Sequence, residues 1–549
     1  MLRKLTIPAI VAVILLAAVL RIWGIGWGLP TREHYFSYHP DETVVLLASM
    51  RVNFFEGQFD TGYYNYGSLY MFLVTLSVLL ASGWGLIHLS SGDVFSNIGE
   101  FAKLYLAGRA AAVILGIASV YLVYLLGKRA YGRGVGLLAA LLIAVVPLHV
   151  MHSKFLAVDV PAAFLSTAAL IFAVRIPDRH RLRDYLLSGL FAGLAAGTKY
   201  NAALVILAPI AAHLSTGKMR PALRVLSPKL LVLFILAAAG FLIGTPGAVL
   251  NFDKFSHDFA FEVLHMRAGH GFLFAGTPPG WIYHLTNSLA AGMSIPLLVL
   301  ALIGTVYALK RRTPSDVALL SFLLVYYAVI GAAQVKFARY TIPLLPVLVI
   351  LAARISVDAI GRLLGGRTFA RGVGYVLVLV LVLVVANTGF YAVALDQTFA
   401  GEDTRDQAAE WITRHVPEGS SIGLPTIPWF YTPPLSPYFG LPEAEDRYEH
   451  AQEVTEYTLV VSKHSGFNAG FLSRESPDYV ILSDFEYKDR LRVGDAAARE
   501  YFVVLRQDYR LERRWKRRGL FRYNWPRDLP HDMSYAGPTI EVYSRKEAD

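Results

Sequence analysis

The stretch from Leu5 to Trp27, LTIPAIVAVILLAAVLRIWGIGW in one-letter code, contains a single charged residue, Arg21. Two further stretches of similar length, residues 230–250 and residues 375–395, contain none. About 20 consecutive apolar residues span the hydrocarbon layer of a membrane as a helix, whereas a helix of a soluble protein rarely continues so far without a polar face. These stretches predict a polytopic α-helical membrane protein, and we expect the first of them to be a retained span rather than a cleaved signal.

The composition of the whole chain fits this class. Of its 549 residues 55% are hydrophobic, and the formal net charge is +10. The chain contains no cysteine, which excludes disulfides, thiolate catalysis and cysteine metal sites. It also contains no Walker sequence, so nothing in it supports ATP-driven transport. No nucleic-acid partner is expected.

Lysine and arginine residues collect in short gaps between the apolar stretches, which indicates the orientation of the chain. By the positive-inside rule these gaps are cytoplasmic, and so is the N-terminus. They hold Lys128, Arg129 and Arg133; Arg175, Arg179, Arg181 and Arg183; Lys218, Arg220, Arg224 and Lys229; Lys310, Arg311 and Arg312; and Arg354, Arg362, Arg367 and Arg371. The alternate gaps then lie outside, and because they are richer in His, Asp, Gly and aromatic residues we expect the functional site there.

Hydropathy predicts about eleven spans. They are residues 5–27, 105–127, 135–152, 160–176, 185–198, 201–215, 229–250, 289–309, 316–334, 340–354 and 372–395. The further apolar block from Leu69 to Ile87 would have both ends outside, so we expect it to lie along or dip into the outer interface. The alternative is that this block crosses the membrane and that one of the gaps does not obey the positive-inside rule. The short spans that flank Lys199 are expected to line a cavity.

The composition changes after Leu395, and an odd number of spans places the remaining residues outside. We therefore divide the chain into a membrane domain, residues 1–395, and an extracytoplasmic α/β domain, residues 396–549. Helices are predicted at residues 404–415 and 496–507, and strands at residues 421–424, 479–482 and 539–543. This domain contains no recognisable nucleophile motif or phosphate loop, which suggests a lid or an acceptor-docking module.

Two acidic sites in the predicted outer loops are candidates for chemistry. In His39-Pro40-Asp41-Glu42 the proline suits the first turn of a helix, and a carboxylate there can accept a proton from an attacking hydroxyl. The alternative is a helix cap, since acidic residues in a first turn favour the helix dipole. Asp159 also precedes a predicted span and has the same two interpretations.

Cations at the outer ends of spans need anionic partners, and a lipid phosphate is one candidate. The five residues of this kind are Arg109, Lys154, Lys199, Lys336 and Arg339. The alternative for each of them is snorkelling to lipid headgroups. The outer loop 251–283 also carries His257, His265 and His270, which with carboxylates is compatible with a divalent metal, although their spacing matches no known ligand motif.

Taken together, these residues resemble the GT-C superfamily of membrane glycosyltransferases, most closely the branch of dolichyl-phosphate-mannose protein mannosyltransferases and lipid A aminoarabinose transferases. The resemblance covers nearly the whole chain and rests on the order of several short motifs. They are Asp41-Glu42, YYNYGSLY at residues 63–70, RAAAVILG at 109–116, His152-Ser-Lys154 with Asp159-Val-Pro161, GTKY at 197–200, RYTIPLLP at 339–346 and GPTIEVY at 537–543. Lys154 stands where Arg is more common, and residues 65–67 replace a Pro-Pro pair, so the sugar and the acceptor stay open.

The resemblance implies a polyprenyl-phosphate-linked sugar as donor and a glycan, lipid or protein as acceptor. Asp41 would be the base that deprotonates the acceptor hydroxyl, with inversion at the anomeric carbon, and Glu42 would orient the acceptor or serve as a second base. Arg109, Lys199 and Arg339 would hold the donor phosphate. Further substrate contacts are expected from Lys154, Asp159, Tyr66, Tyr200, Tyr340, His265 and His270.

Two other classes of protein share some of these features with the glycosyltransferases. A polytopic lipid or sugar transporter or flippase shares the spans and the intramembrane charges, but it does not explain the Asp41-Glu42 pair or the appended domain, and no inverted repeat is detected. If the protein were instead a structural or receptor protein with an outer domain, the charged residues within the helical bundle would have no chemical role. Within the enzymes, an oligosaccharyltransferase would need a pyrophosphate donor and a metal.

Overall fold

The computed structural model describes residues 2–88, 97–215, 226–439, 451–462, 466–517 and 528–546. Three cations of the third basic gap, Lys218, Arg220 and Arg224, lie outside these residues.

Within the described residues the helices that begin before residue 401 are, in chain order, α1 (Leu2–Ile22), α2 (Glu42–Met50), α3 (Leu69–Gly83), α4 (Ile98–Tyr131), α5 (Arg133–Val145), α6 (Pro147–His152), α7 (Asp159–Ala173), α8 (Ile176–Arg179), α9 (Leu182–Ala196), α10 (Leu207–Leu214), α11 (Pro228–Gly244), α12 (Gly247–Leu250), α13 (Phe252–Ala268), α14 (Gly280–Tyr283), α15 (Ala290–Met293), α16 (Ile295–Arg311), α17 (Pro314–Gly331), α18 (Leu345–Leu364) and α19 (Thr368–Ala400). Short 3-10 turns occupy Tyr200–Ile206 and Ala338–Leu344.

Several of these helices are long and apolar enough to cross a membrane. Within the described ranges, five qualify by length and composition, or six if the bent pair 280–293 and 295–311 counts as one broken span. The exposed face of α19 carries Tyr375, Val376 and Leu379, an apolar surface of the kind that lipid covers. These features agree with a multi-pass membrane protein, whereas the number of eleven spans stays a prediction.

The apolar block that was expected at the membrane interface forms the 15-residue helix α3. At 1.5 Å per residue it is about 22 Å long, shorter than the hydrocarbon layer of about 30 Å. It packs against α2 and α4, and the hydroxyl of Tyr70 donates to the carbonyl of Gly108 at 2.9 Å. Its position relative to a membrane stays a prediction.

Glycines bring α9 and α11 into backbone contact. A Cβ atom added at Gly193 would lie 2.0 Å from the carbonyl oxygen of Ala237, and one at Gly197 would lie 2.9 Å from the Cα of Gly244. Glycine is required at both positions because a side chain would push the helices apart. The chain then breaks between Ala196 and Tyr200, as expected from the short spans, and Lys199 lies in this break.

The C-terminal segment, residues 401–546, contains a five-stranded sheet in the order β2-β1-β3-β5-β4. Its elements are α20 (Thr404–His415), β1 (Ser421–Leu424), β2 (Thr458–Val461), α21 (Ala469–Glu475), β3 (Tyr479–Ser483), α22 (Asp484–Val493), α23 (Ala496–Asp508), β4 (Tyr509–Trp515), a 3-10 turn (His531–Met533) and β5 (Ile540–Arg545). Strands β2, β1 and β3 are parallel, and β5 and β4 are antiparallel to their neighbours.

The two helices and three strands predicted in this segment are confirmed within about two residues at each end. Sequence analysis did not predict β2, β4, α21 or α22. The predicted domain boundary at Leu395 falls inside α19, which continues to Ala400 and carries Asp396, buried there in an ion pair with Lys154.

A buried ion pair docks the C-terminal segment onto the first loop of the helical portion. Arg405 Nε lies 2.7 Å from Asp403 Oδ1, and both side chains are almost fully buried. The guanidinium stacks 3.7 Å from the ring centroid of Tyr38, and the indole of Trp27 donates to Asp403 at 2.9 Å. Removing one partner of such a pair typically costs about 3–5 kcal/mol of stability, so this contact fixes how the two parts face each other.

Candidate functional site

A cavity of about 480 Å³ lies between the helical portion and the C-terminal segment. Carboxylates, cations and aromatic rings from both parts form its walls. Its lining includes Asp41, Tyr63, Tyr66, Glu262, His265, His270, Phe337, Arg339, Tyr340, Trp429, Phe485, Glu486, Asp489, Arg490, His531 and Tyr535. The size is typical of a site for a small molecule, and we call it the main cavity.

Asp41 and Arg339 form an ion pair on the wall of the main cavity. Arg339 Nη1 lies 2.5 Å from Asp41 Oδ2, and the Asp41 side chain keeps 30% of its surface exposed while that of Arg339 keeps 8%. Burial raises the pKa of the Asp41 carboxyl, but the charge of the Arg339 guanidinium and its hydrogen bond to the carboxylate lower it, and the resulting pKa lies below the ordinary value. Asp41 is therefore an ionised carboxylate that incoming molecules can reach.

A second ion pair lies close to the first. Lys199 Nζ contacts Asp159 Oδ1 at 2.5 Å, and both side chains are buried. The ammonium also lies 4.7 Å from the ring centroid of Tyr340, which lines the main cavity. Tyr340 thus lies between the Lys199–Asp159 pair and the main cavity.

Glu42 points away from the main cavity into the interior. Its carboxylate accepts two bonds from Arg109, at 2.8 Å from Nε and 2.6 Å from Nη2, and a further bond at 2.8 Å from the backbone N–H of Leu156. The hydroxyl of Ser37 donates to it as well. The pair is fully buried, with 0% of the Glu42 side chain and 1% of the Arg109 side chain exposed.

Arg109 is saturated by this arrangement. Besides Glu42, its guanidinium donates to the carbonyls of Ile25 and Trp27, at 2.7 and 2.6 Å, and to the hydroxyl of Ser37 at 3.3 Å. All five N–H donors of an arginine therefore have acceptors within the protein. The structure places Arg109 beside Glu42 and apart from Asp41 and Arg339 of the main cavity.

His39, which precedes this acidic pair, is buried and keeps one polar atom free of hydrogen bonds within the protein. The backbone N–H of Asp41 donates to its Nδ1 at 3.3 Å, whereas its Nε2 has no partner. Burial lowers the pKa of His39 although Asp41 and Glu42 raise it. The imidazole is therefore neutral, with its proton on Nε2.

Of the other predicted site residues, Tyr66, Tyr340, His265 and His270 line the main cavity. Tyr200 lies behind the wall, where its hydroxyl donates to the carbonyls of Tyr64 and Tyr66 at 2.6 and 3.1 Å. Lys154 lies elsewhere, fully buried and 2.9 Å from Asp396. His270 Nδ1 lies 3.3 Å from His265 Nε2. In the part of the chain that the structure describes, no group of three or more His, Cys, Asp or Glu residues is placed to hold a metal ion.

The sequence suggested that the C-terminal segment is a lid or an acceptor-docking module, but it did not indicate which of its residues contribute to this site. The carboxylate of Asp532 accepts the backbone N–H groups of Ala338 and Arg339, at 3.0 and 2.8 Å. It thereby caps the 3-10 turn that presents Arg339 to Asp41. Its neighbours His531 and Tyr535 line the main cavity. Nothing in the local sequence of this segment marks these residues, because their role depends on a docking surface almost 200 residues away in the chain.

Part of the sequence matches a known family, and the fold is similar to those of solved structures. Residues 98–243 match the model of the dolichyl-phosphate-mannose-protein mannosyltransferase family. The chain is similar in structure to the oligosaccharyltransferase AglB from Archaeoglobus fulgidus in complex with an inhibitory peptide and a dolichol-phosphate, with a TM-score of 0.52 and 16% identity over 97% of this chain and 77% of that chain. It is also similar to ArnT from Cupriavidus metallidurans in the apo state, with a TM-score of 0.50 and 13% identity over 98% of both chains. No curated protein matches the sequence.

At such low identities the structural likeness establishes that this chain shares the fold of these two proteins. The resemblance to the GT-C superfamily expected from the sequence is confirmed, with the mannosyltransferase match confined to residues 98–243.

The cap on the Arg339 turn gives a direct prediction. In Asp532→Asn one of the two acceptor oxygens becomes an amide that cannot accept, so the amides of Ala338 and Arg339 should exchange hydrogen at least about tenfold faster, because a bond to a charged group contributes about 1.5–3 kcal/mol. Hydrogen–deuterium exchange of a peptide covering residues 335–344 in the full chain measures this.

The matched control is Asp478→Asn. Asp478 also accepts a backbone N–H, that of Ser421 at 2.9 Å; it lies just before β3 and does not line the main cavity. Unchanged exchange in Asp532→Asn, or the same acceleration at residues 335–344 in Asp478→Asn, would contradict the capping role.

Proposed function

We propose that the protein is a glycosyltransferase that moves a monosaccharide from a polyprenyl-phosphate carrier to an acceptor hydroxyl, with inversion at the anomeric carbon. The observation that carries the proposal is the Asp41–Arg339 pair on the wall of the main cavity, a carboxylate and a cation that a bound molecule can reach together. The likeness in fold to AglB, which was solved with a dolichol-phosphate, supports a lipid-phosphate donor.

Asp41 supplies the base in this proposal. As an ionised carboxylate it takes the proton of the acceptor hydroxyl while the hydroxyl oxygen attacks the anomeric carbon. The bond between that carbon and the phosphate oxygen breaks, and polyprenyl phosphate leaves. A single displacement of this kind inverts the configuration.

Arg339 supplies the charge for the leaving phosphate. A guanidinium binds phosphate through paired N–H groups and stabilises the negative charge that develops as the bond breaks. Without a donor its charge is compensated by Asp41, so a phosphate that binds Arg339 weakens this pairing and makes the Asp41 carboxylate more basic. Donor binding thus prepares the base for the acceptor.

Lys199 lies behind Tyr340, where Asp159 neutralises its charge at 2.5 Å. We therefore assign the Lys199–Asp159 pair to positioning Tyr340, and Tyr340 and Tyr66 to the walls that contact substrate.

Glu42 and Arg109 take positioning roles here instead of the acceptor and phosphate roles that the resemblance implied. Both are buried and saturated by protein partners, so a phosphate reaching Arg109 would have to displace Glu42 or two backbone carbonyls. Their pairing fixes the start of α2, and with it the direction of Asp41.

We further propose that the protein is a multi-pass protein of the cell membrane with a cytoplasmic N-terminus and the C-terminal segment outside. The basic residues collected in one set of gaps support this orientation. The site then faces the outer side, and Leu69–Ile87 lies at the outer interface.

The base assignment predicts the behaviour of Asp41→Asn. The amide cannot take a proton, so transfer from a labelled polyprenyl-phosphate hexose to membrane-extract acceptors should fall by about 10²–10⁴-fold. The melting temperature should stay close to that of the parent protein. Because an amide does not ionise, raising the pH should not restore transfer in the variant, whereas the Asp41 carboxylate of the parent, whose pKa lies below its ordinary value, is already ionised at neutral pH.

Asp253→Asn serves as the control, since it removes an exposed carboxylate from the first turn of α13. Transfer that persists in Asp41→Asn at a level close to that of Asp253→Asn would show that Asp41 is not the base.

The orientation is tested in a chain that contains no cysteine of its own. Lys546→Cys should react with a membrane-impermeant maleimide in intact cells, because it lies at the exposed end of the C-terminal segment. Lys310→Cys, in a basic gap, should react only after the membrane is permeabilised. The reverse pattern would overturn the proposed orientation.

A further inference from the structure

A second cavity, of about 430 Å³, lies beside the main cavity. One wall comes from the helical portion and the other from α22 and the residues around the His531–Met533 turn. Its lining includes Leu273, Thr277, Tyr283, Asn287, Asp484, Phe485, Lys488, Asp489, Arg492, Asp528, His531 and Ser534. Leu273, Phe485, Asp489 and His531 line both cavities, so the two cavities adjoin at these four side chains.

The walls of the second cavity are fixed by two cations. Arg492 donates to the carbonyls of Phe272, Leu273 and Ala275, at 3.1, 3.0 and 2.7 Å. The ammonium of Lys336, at 4% exposure, donates to Thr277 Oγ1 at 2.9 Å and to the carbonyl of Pro278 at 3.0 Å. Both cations hold the loop of residues 272–278, which contributes to the walls of both cavities, so the second cavity is part of the fold.

The lining restricts what the second cavity can bind. It carries five charged side chains, Asp484, Lys488, Asp489, Arg492 and Asp528, and burying these against a hydrocarbon chain would strip their water without replacing it. None of its lining residues belongs to a strand, so it offers no backbone ladder to an extended peptide.

A neutral sugar chain fits these walls. Sugar hydroxyls donate to carboxylates and accept from ammonium and amide groups, which Asp489, Lys488 and Asn287 supply. The C–H faces of a sugar ring pack on flat rings, which Tyr283 and Phe485 supply.

We infer that the second cavity holds the acceptor, that the acceptor is a glycan, and that its end hydroxyl reaches Asp41 through a passage between the four shared side chains. The inference rests on the proposed transfer reaction and adds the class of acceptor to it. Burial lowers the pKa of His531 to about 3, so the imidazole in the passage is neutral and can both donate to and accept from a hydroxyl. As in that reaction, the glycan oxygen gains the glycosyl group, its proton passes to Asp41, and polyprenyl phosphate leaves.

The experiment uses the purified full chain in detergent and isothermal titration calorimetry. The probes are mannotriose, maltotriose and chitotriose, a neutral serine- and threonine-rich peptide, and undecaprenyl phosphate. At least one trisaccharide should bind one to one, and the peptide should not bind. Asn287→Ala and Lys488→Ala, one on each wall, should each weaken trisaccharide binding by about tenfold and leave undecaprenyl phosphate binding unchanged.

Lys103→Ala is the matched control, because Lys103 and Lys488 are similarly exposed, at 44% and 46%, and each pairs with one carboxylate. It should bind the trisaccharide as the parent protein does. Binding of the peptide alone, absence of trisaccharide binding by a protein that binds undecaprenyl phosphate, or trisaccharide binding unchanged in both wall variants would each overturn the glycan site and leave the proposed transfer standing. Failure of the folded protein to bind undecaprenyl phosphate would instead overturn the proposed transfer, and the acceptor assignment with it.

Discussion

The geometry of the site depends on one buried carboxylate, that of Glu42. It accepts hydrogen bonds from Arg109, from Ser37 and from the backbone of Leu156, which joins the first loop, α4 and the loop before α7 at one point. Breaking such a pair by removing one partner typically costs about 3–5 kcal/mol. Because Glu42 is held in the interior, its neighbour Asp41 is directed to the main cavity.

Two adjacent acidic residues thus acquire different properties from their surroundings. Glu42 has no exposed surface and every acceptor position in use, whereas Asp41 keeps about a third of its surface exposed and has one cation as its partner. That cation depends on the C-terminal segment, since Asp532 caps the turn that carries Arg339. The docking pair Asp403–Arg405 holds the segment in place, so the site is completed only when both parts of the chain are folded together.

Much of this arrangement could be predicted from the sequence, and the reasons for the failures are physical. Long apolar stretches predicted the membrane class, and strands such as residues 479–482 were predicted because they are apolar and bounded by turns. Strand β4 was missed because most of its residues are exposed and charged, so the alternation that marks a strand is absent. Of the cations at predicted outer ends, Arg339 lines the main cavity and Arg109 does not, and hydropathy cannot separate them because the difference lies in which carboxylate each one meets. Asp532 carries no local pattern, and only the docked structure shows what it caps.

In the proposed reaction, Asp41 and Arg339 face one bound lipid phosphate. A structure determined by electron cryo-microscopy in nanodiscs with undecaprenyl phosphate tests this arrangement most directly. The proposal predicts a phosphate oxygen within about 3 Å of the Arg339 guanidinium, in the main cavity and beside the Asp41 carboxylate. A phosphate bound elsewhere, with the Asp41–Arg339 pair unchanged and the main cavity empty, would contradict it.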